Sequence, residues 1–150
     1  MAIRFYSTKD KYGEFSNFAR FPFILDGREW PTSEHYFQAQ KFQDHAYQEK
    51  IRTTASPMIA ARLGRSRAVP IRADWEEVKL DVMRAAVRQK FSSHSQLTAL
   101  LLETGNDELV EATTRDMFWG CGTSGAGQNW LGKILMEVRE QLRADQEQSV

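Results

Sequence analysis

The sequence has 150 residues, of which 41% are hydrophobic and 11% aromatic, and its 20 basic residues balance its 20 acidic ones. This length and composition are typical of one globular domain with its own core. A formal net charge of zero argues against a protein that holds long nucleic acid through bulk charge. It does not exclude a local basic patch.

Cysteine, histidine and hydropathy patterns exclude further classes. The single cysteine, Cys121, excludes an internal disulfide, and the three histidines are too scattered to form a metal-ligand cluster. The N-terminus lacks the apolar core of a signal peptide, and no run approaches the roughly 18 apolar residues of a membrane span. We therefore expect a soluble, cytoplasmic protein without bound metal and without a membrane partner.

The front of the chain predicts a small sheet. Residues 3–7 read as one strand, and "FPFIL" and "REW" flank Asp26-Gly27, a dipeptide that supplies the positive φ of a two-residue hairpin turn. A further β-like run, "ELVEAT", occupies residues 108–113.

The rest of the pattern is helical. Five helices are predicted to begin at Thr32, Ser56, Asp74, Ser93 and Leu131. In the second, Pro57 suits the first helical position and Gly64 is read as the stop. Residues 1–150 thus read as one α+β domain, mostly helical, with a minor sheet largely from the N-terminal third and a polar tail from about residue 143.

The helix after Trp30 carries polar groups on one side. At 100° per residue Glu34, Gln38 and Lys41 project within about 60° of one another, while His35 shares a more apolar side and is expected to pack rather than act as a base. A solvated helix face explains the same spacing, and the pattern alone favours that reading.

The stretch "RLGRSRAVPIR" contains four arginines, and no acid occurs between Pro57 and Ala73. A guanidinium can bind two phosphate oxygens at once, so a phosphorylated small ligand is one interpretation. Solvated surface arginines are the other, and both stay open. The four are Arg62, Arg65, Arg67 and Arg72.

Residues 120–125, "GCGTSG", match the G-x-G-x-x-G pattern of dinucleotide-binding loops. That fold needs a strand after the following helix, and only the polar "RADQEQSV" follows here, so we reject it. Four glycines within eight positions still free the backbone for a close approach to a ligand, or make a mobile surface loop.

Asp116 and Trp119 precede this glycine loop, and Trp75 begins an earlier helix. The tryptophans are either core residues or stacking surfaces for a flat heteroaromatic ligand. Asp116 is either a turn residue or a second acid/base beside Glu34. No nucleophile elbow is present and Cys121 has no neighbouring histidine, which argues against triad and thiol chemistry.

Taken together, five stretches closely resemble the NADAR (YbiA-like) family: "FYSTKDKYGEFSNF", "WPTSEHYFQAQKF", "SPMIAARLGR", "DMFWG" and "GQNWLGKILMEVRE". The resemblance covers about Phe5 to Leu142 and implies the YbiA-like fold and an N-glycosidase. Members cleave the N-glycosidic bond of phosphoribosylated pyrimidines of riboflavin synthesis, and others remove ADP-ribose from modified guanine. The implied partner is a phosphoribosyl or ADP-ribosyl small molecule, or ADP-ribosylated DNA, with no obligate protein partner.

The resemblance also assigns residues. Carried over by motif, the active-site positions are Glu34, Trp75, Asp116 and Trp119. Further ligand contacts are Asn17, Arg65, Gly120 and Asn129. Glu34 would stabilise a cationic ribose during cleavage, and Lys41 permits a variant in which its amine forms a Schiff base with the ring-opened sugar. Neither route requires a metal or redox cofactor.

Two other classes fit parts of the sequence. A non-catalytic module that binds ADP-ribose or a related nucleotide would use the same arginines and aromatic residues. It would not need the carboxylate of Glu34 on its ligand-facing surface, so Glu34 discriminates between the two. A helical interaction domain explains neither the glycine loop nor the arginines.

Overall fold

A computed structural model describes residues 1–148, which form six α-helices, four short strands and one 3-10 turn. They confirm the predicted α+β, mostly helical class. In chain order the elements are β1 (Ala2–Phe5), the 3-10 turn (Gly13–Phe15), β2 (Phe23–Leu25), β3 (Arg28–Trp30), α1 (Ser33–Ala39), α2 (His45–Arg52), α3 (Pro57–Arg65), α4 (Trp75–Ser93), α5 (Ser95–Glu103), β4 (Glu108–Glu111) and α6 (Trp130–Gln148). None of the helices in this part of the chain combines the length and the apolar composition that a membrane span requires.

The chain divides into two compact units. The terminal unit comprises Met1–Ala19 and residues 91–148, and the central unit comprises Arg20–Lys90. Each contains one two-stranded sheet: β1 and β4 pair in parallel in the first, and β2 and β3 pair antiparallel in the second. The small sheet content is therefore confirmed, but it is split into two pairs, because β1 finds its partner far along the chain rather than in the N-terminal third.

The hairpin turn forms as predicted. Asp26 and Gly27 have φ of 55° and 75°, the left-handed values of a two-residue hairpin turn. Trp30, at the end of β3, is fully buried and packs edge-on against Tyr36 of α1 with ring centroids 5.1 Å apart. The core of the central unit extends from this contact through buried residues of the hairpin, of four helices and of the turn between α1 and α2: Phe23, Trp30, Tyr36, Ala39, Phe42, Ile51, Ala60 and Ala86.

The first helix is shorter than predicted. It ends at Ala39, and α2 begins after Asp44, whose side chain accepts a hydrogen bond from the Tyr47 amide at 2.9 Å. The prediction that Lys41 lies on this helix is wrong, because the Asp44 cap starts a new helix and the chain must turn before it. Lys41 lies in that turn, with its amide nitrogen 3.3 Å from the carbonyl oxygen of Gln38.

The start of α3 is confirmed and its end is not. Ser56 Oγ accepts from the Ile59 amide at 3.2 Å, and Pro57 is the first helical residue. Gly64 does not stop the helix, which continues to Arg65. Its glycine character has a packing reason instead: a Cβ there would lie 2.6 Å from Gln38 Cδ and would overlap Gln38 Oε1.

In the terminal unit α6 packs against β4 and α5. The helix runs to Gln148, so residues 143–148 are helical where a polar tail was predicted. Arg143 supports this extension, because its Nη2 donates to the Gly105 carbonyl at 2.6 Å and its Nη1 pairs with Glu140 one turn earlier. The buried residues of this unit include Phe5, Phe15, Phe91, Leu97, Leu101, Leu109, Leu131, Ile134, Leu135, Val138 and Leu142.

Candidate active site

Glu34 lies in the first turn of α1, and the cap of that helix fixes its place. Thr32 is the N-cap, with its Oγ1 accepting from the His35 amide at 3.1 Å. Glu34 is half-buried, and its Oε2 accepts a hydrogen bond from Gln38 Nε2 at 2.7 Å, one turn further along. The predicted shared face of these two side chains is confirmed.

His35 is a packing residue, as expected. Its ring has no exposed surface, and its nitrogens lie 2.8 Å from Thr32 Oγ1 and 3.2 Å from the Thr54 carbonyl oxygen. Burial lowers the pKa of His35, and the positive charge of Arg20 lowers it further against the opposing hydrogen bond to Thr54. The lowered pKa favours the neutral form of the ring.

Lys41 is held by its backbone rather than by α1. Its carbonyl oxygen accepts from the Arg72 amide at 2.8 Å, and its half-buried side chain extends until Nζ lies 3.4 Å from the Gly64 carbonyl oxygen. Burial lowers the pKa of the Lys41 amine, the Glu34 carboxylate opposes this, and the charges of Arg67, Arg65 and Lys79 lower it further. The neutral, nucleophilic amine is thereby more accessible than in an ordinary lysine.

The arginines of this stretch differ in their partners. Arg72 pairs with Asp74 through two hydrogen bonds of 2.6 and 3.0 Å, just before α4, so its guanidinium is used within the protein. Arg65 and Arg67 are exposed, yet both act on the Lys41 amine through their charge. In the central unit the charges of Glu34 and Arg65 thus both act on the Lys41 amine, in opposite directions.

Trp75, the first residue of α4, is also in the central unit. Only 7% of it is exposed, and its ring packs against Phe37 of α1 with centroids 5.0 Å apart. Most of the surface that a stacked ligand would need is therefore covered by protein.

The other predicted residues lie in the terminal unit. Asp116 Oδ1 accepts hydrogen bonds from the amides of Phe118 at 2.9 Å and Trp119 at 2.8 Å, which is the turn role that the sequence left open. Trp119 is half-buried and meets the Phe118 ring edge-on at 4.9 Å. Gly120 is buried against β4, where a Cβ would lie 2.8 Å from the Glu111 carbonyl oxygen.

Asn129 and Asn17 complete the predicted set. Asn129 has a left-handed backbone with φ of 54° and uses both ends of its side-chain amide on β4: Oδ1 accepts from the Glu111 amide at 3.0 Å and Nδ2 donates to the Leu109 carbonyl at 2.9 Å. Asn17 is half-buried and follows the 3-10 turn by two residues. The structure thus gives Asn129 a role in holding α6 to the sheet.

The glycine loop is closed by hydrogen bonds within its own backbone. The amides of Gly125, Gly127 and Asn129 donate to the carbonyls of Gly122, Cys121 and Gly120 at 3.2, 2.7 and 3.0 Å. These donors are therefore already used. The loop does line a cleft of about 460 Å³, but Glu34, Lys41 and Asp116 do not line it. The lining residues are Glu108, Val110, Cys121, Gly125, Ala126, Gly127, Gln128, Asn129, Lys133 and Met136.

Two features of the central unit were not predicted. The charges of Arg67 and Arg65 lower the pKa of Lys41, and the "RSR" pattern contained no signal for this effect. The packing of Gly64 against Gln38 was also missed, although a glycine flanked by good helix formers in "RLGR" was a signal that something other than helix propensity selects it.

Known proteins match nearly the whole chain. The sequence profile of the NADAR domain family matches residues 4–143. The N-glycosidase YbiA of Escherichia coli K12 is 59% identical over 140 residues, which cover 93% of this chain and 88% of that protein. The riboflavin biosynthesis protein PYRR of maize, a chloroplast protein, is 43% identical over 155 residues, covering 93% of this chain and 25% of the maize protein.

A solved structure agrees with these relatives. The NMR structure of the E. coli protein YbiA superposes with a TM-score of 0.90 at 57% identity, covering 97% of this chain and 86% of that one. The fold is accordingly that of a NADAR domain. The chain belongs to the NADAR domain family.

Proposed function

We propose that this chain is an N-glycosidase that hydrolyses the bond between ribose C1 and a heterocyclic nitrogen in a phosphoribosylated intermediate of riboflavin biosynthesis. The names of its relatives support both parts: the E. coli relative is an N-glycosidase, and the maize relative is a riboflavin biosynthesis protein. The observation that carries the proposal is a half-buried carboxylate, Glu34, whose charge acts on the half-buried amine of Lys41, the pKa of which is lowered by burial.

In the direct route the C1–N bond breaks and its electron pair leaves with the base, which takes a proton. The ribose becomes cationic at C1, and the Glu34 carboxylate stabilises that charge. Gln38 supplies one hydrogen bond to this carboxylate and keeps it oriented. Water then adds to C1 and releases ribose phosphate.

In the covalent route the sugar ring opens and the neutral amine of Lys41 attacks C1. Loss of the base leaves a Schiff base between C1 and Nζ, and water hydrolyses it to the sugar aldehyde and the free lysine. Glu34 moves the protons between these steps. The lowered pKa of Lys41 favours this route, because only the neutral amine is a nucleophile.

The substrate phosphate has candidate partners beside the amine. The exposed guanidinium groups of Arg65 and Arg67 suit phosphate oxygens, and Arg62 is exposed on α3 together with Arg65. ADP-ribosylated guanine, free or in DNA, contains the same type of bond with a further phosphate, so it is the second substrate to test. Trp119, Asp116, Asn17 and Gly120 lie in the terminal unit, and their role as substrate contacts stays a prediction from the family resemblance.

Product release tests the function. Purified protein is incubated separately with the phosphoribosyl-aminopyrimidine and with ADP-ribosylated guanosine, and free ribose 5-phosphate or ADP-ribose is measured. We expect release from the first. Glu34→Gln should abolish turnover and leave ligand binding by calorimetry intact, while Glu29→Gln, which removes an exposed carboxylate of the same unit, should leave both unchanged. Binding without release from either compound would favour a non-catalytic module.

A further inference from the structure

A glycine inside α3 lies against the side chain that holds the candidate catalytic carboxylate. Gly64 is buried, one residue before the end of the helix. A Cβ at this position would lie 3.1 Å from Gln38 Cβ, 2.6 Å from its Cδ and in overlap with its Oε1. The amide of Gln38 therefore occupies the space that any other residue at position 64 would fill.

The orientation of the Gln38 side-chain amide follows from one hydrogen bond at its nitrogen and from the lack of a partner at its oxygen. Gln38 is only 7% exposed, and its Nε2 donates to Glu34 Oε2 at 2.7 Å. Its Oε1 is buried and has no hydrogen-bond partner among the described residues. A buried acceptor without a donor is unfavourable, so this orientation is set by the hydrogen bond that the Gln38 amide nitrogen donates to the Glu34 carboxylate.

Gly64 also contacts the second candidate catalytic group. Its carbonyl oxygen lies 3.4 Å from Lys41 Nζ. Gly64 therefore lies beside both groups: Gln38 packs against its Cα, where a side chain would otherwise stand, and Lys41 Nζ lies near its carbonyl oxygen.

We infer that Gly64 and Gln38 are positioning residues for the glycosidase reaction: Gly64 leaves the space in which Gln38 lies, and Gln38 holds the Glu34 carboxylate in place through its hydrogen bond. The inference rests on the proposed function. Neither residue needs to touch the substrate. A bulkier residue at position 64 would act on the reaction only through Gln38.

At position 64, helix propensity and side-chain packing favour different residues. Alanine is a better helix former than glycine, so Gly64→Ala would stabilise a helix that had no such neighbour. The atom that it meets first is the end of a flexible side chain, which can rotate away without moving the backbone. Gly64→Ala should therefore keep the fold and lose the Gln38–Glu34 hydrogen bond.

The experiment is a double-mutant cycle on kcat and KM. Gln38→Ala and Gly64→Ala should each lower kcat by about ten- to a hundredfold, the effect of one hydrogen bond to a charged group, with KM within about threefold. The double variant should be no slower than the slower single one, because both changes remove the same bond. Met58→Ala, at an exposed position of α3, is the matched control and should retain wild-type kcat.

A second readout does not depend on turnover. Carbon-13 NMR of labelled glutamate carboxyls, with the Glu34 signal assigned by Glu34→Gln, follows the titration of this side chain. Loss of the N–H donor disfavours the charged form, so the pKa of Glu34 should rise in Gln38→Ala and in Gly64→Ala but not in Met58→Ala.

The outcomes separate the two claims. Wild-type kcat in a folded Gly64→Ala variant, additive losses in the cycle, or an unchanged Glu34 titration would each overturn the positioning inference. If the wild-type protein releases no sugar from any substrate while the Glu34 titration still responds to Gly64→Ala, the proposed function fails and the link between these residues stands.

Discussion

Asn129 Oδ1 accepts a hydrogen bond from the backbone amide of Glu111 at 3.0 Å. The same side chain donates through Nδ2 to the Leu109 carbonyl at 2.9 Å, so one asparagine satisfies a donor and an acceptor of β4. The opposite edge of β4 is paired with β1. Asn129 thus takes the place of a further strand, and its left-handed backbone, which asparagine tolerates, turns the chain into α6.

Asn129→Ala should be strongly destabilising. It removes two hydrogen bonds, leaves two backbone groups of β4 without partners and puts a Cβ-bearing residue without a polar side chain at positive φ, so we expect a loss of about 2 to 4 kcal/mol. Urea unfolding measures this. Gln128→Ala, which removes an exposed neighbouring side chain, should cost less than about 1 kcal/mol. Equal stability of the two variants would contradict the role of Asn129.

Arg67→Gln should change the pH dependence of the reaction. The positive charge of Arg67 lowers the pKa of Lys41, so its removal raises that pKa. If the neutral amine is the nucleophile, the rising limb of kcat against pH moves to higher pH. Arg62→Gln is the control, because Arg62 is an exposed arginine of the nearby α3 but is not among the charges that act on Lys41. Equal shifts in both variants would indicate a general effect of surface charge.

Borohydride should trap an adduct on Lys41 if the covalent route operates. Reduction during turnover converts the Schiff base to a stable secondary amine, and mass spectrometry of the digest locates the added sugar. Lys41→Met should lose both the adduct and the activity, while Lys50→Met, at an exposed position of α2, keeps both. Full activity without an adduct would leave only the direct attack of water.

Local patterns in the sequence predict the local features of this fold. The Asp26-Gly27 turn and the Ser56-Pro57 helix start depend on neighbouring residues only, and both form as expected. The pairing of β1 with β4 joins distant segments, and no pattern in either strand names its partner. Gly64 is the clearest case: a helix-stop rule assigned it wrongly, since its reason is a side chain from another helix.

In the candidate site, too, local patterns predict some residues and long-range contacts place the others. The motif resemblance and helical spacing led to Glu34 and Gln38, because both lie on one short helix. Lys41 was reached by a spacing argument that assumed a continuous helix, yet it is brought beside Gly64 and into the field of Glu34 by a turn and by Arg72. Such long-range contacts determine the pKa of its amine and could not be read from the sequence.

His35 should make the stability of the protein depend on pH. Its pKa is lowered in the folded state, mainly by burial, so between that value and the ordinary value near 6.5 the unfolded chain binds more protons. Stability is therefore complete above about pH 6.5 and falls as the pH is lowered toward the folded pKa, with a slope of at most about 1.4 kcal/mol per pH unit from one proton.

Denaturant unfolding between pH 7.5 and 5 measures this slope. His35→Gln should be less stable at pH 7.5, because it disturbs the bonds to Thr32 and Thr54, but its slope should be flatter. The control His45→Gln, at the exposed start of α2, should keep the wild-type slope. Glu49 does not interfere, since hydrogen bonds from Arg52 and Arg28 lower its pKa to about 2 and its contribution is lost only below about pH 4.5. An unchanged slope in His35→Gln would show that the buried ring is not the group that senses pH in this range.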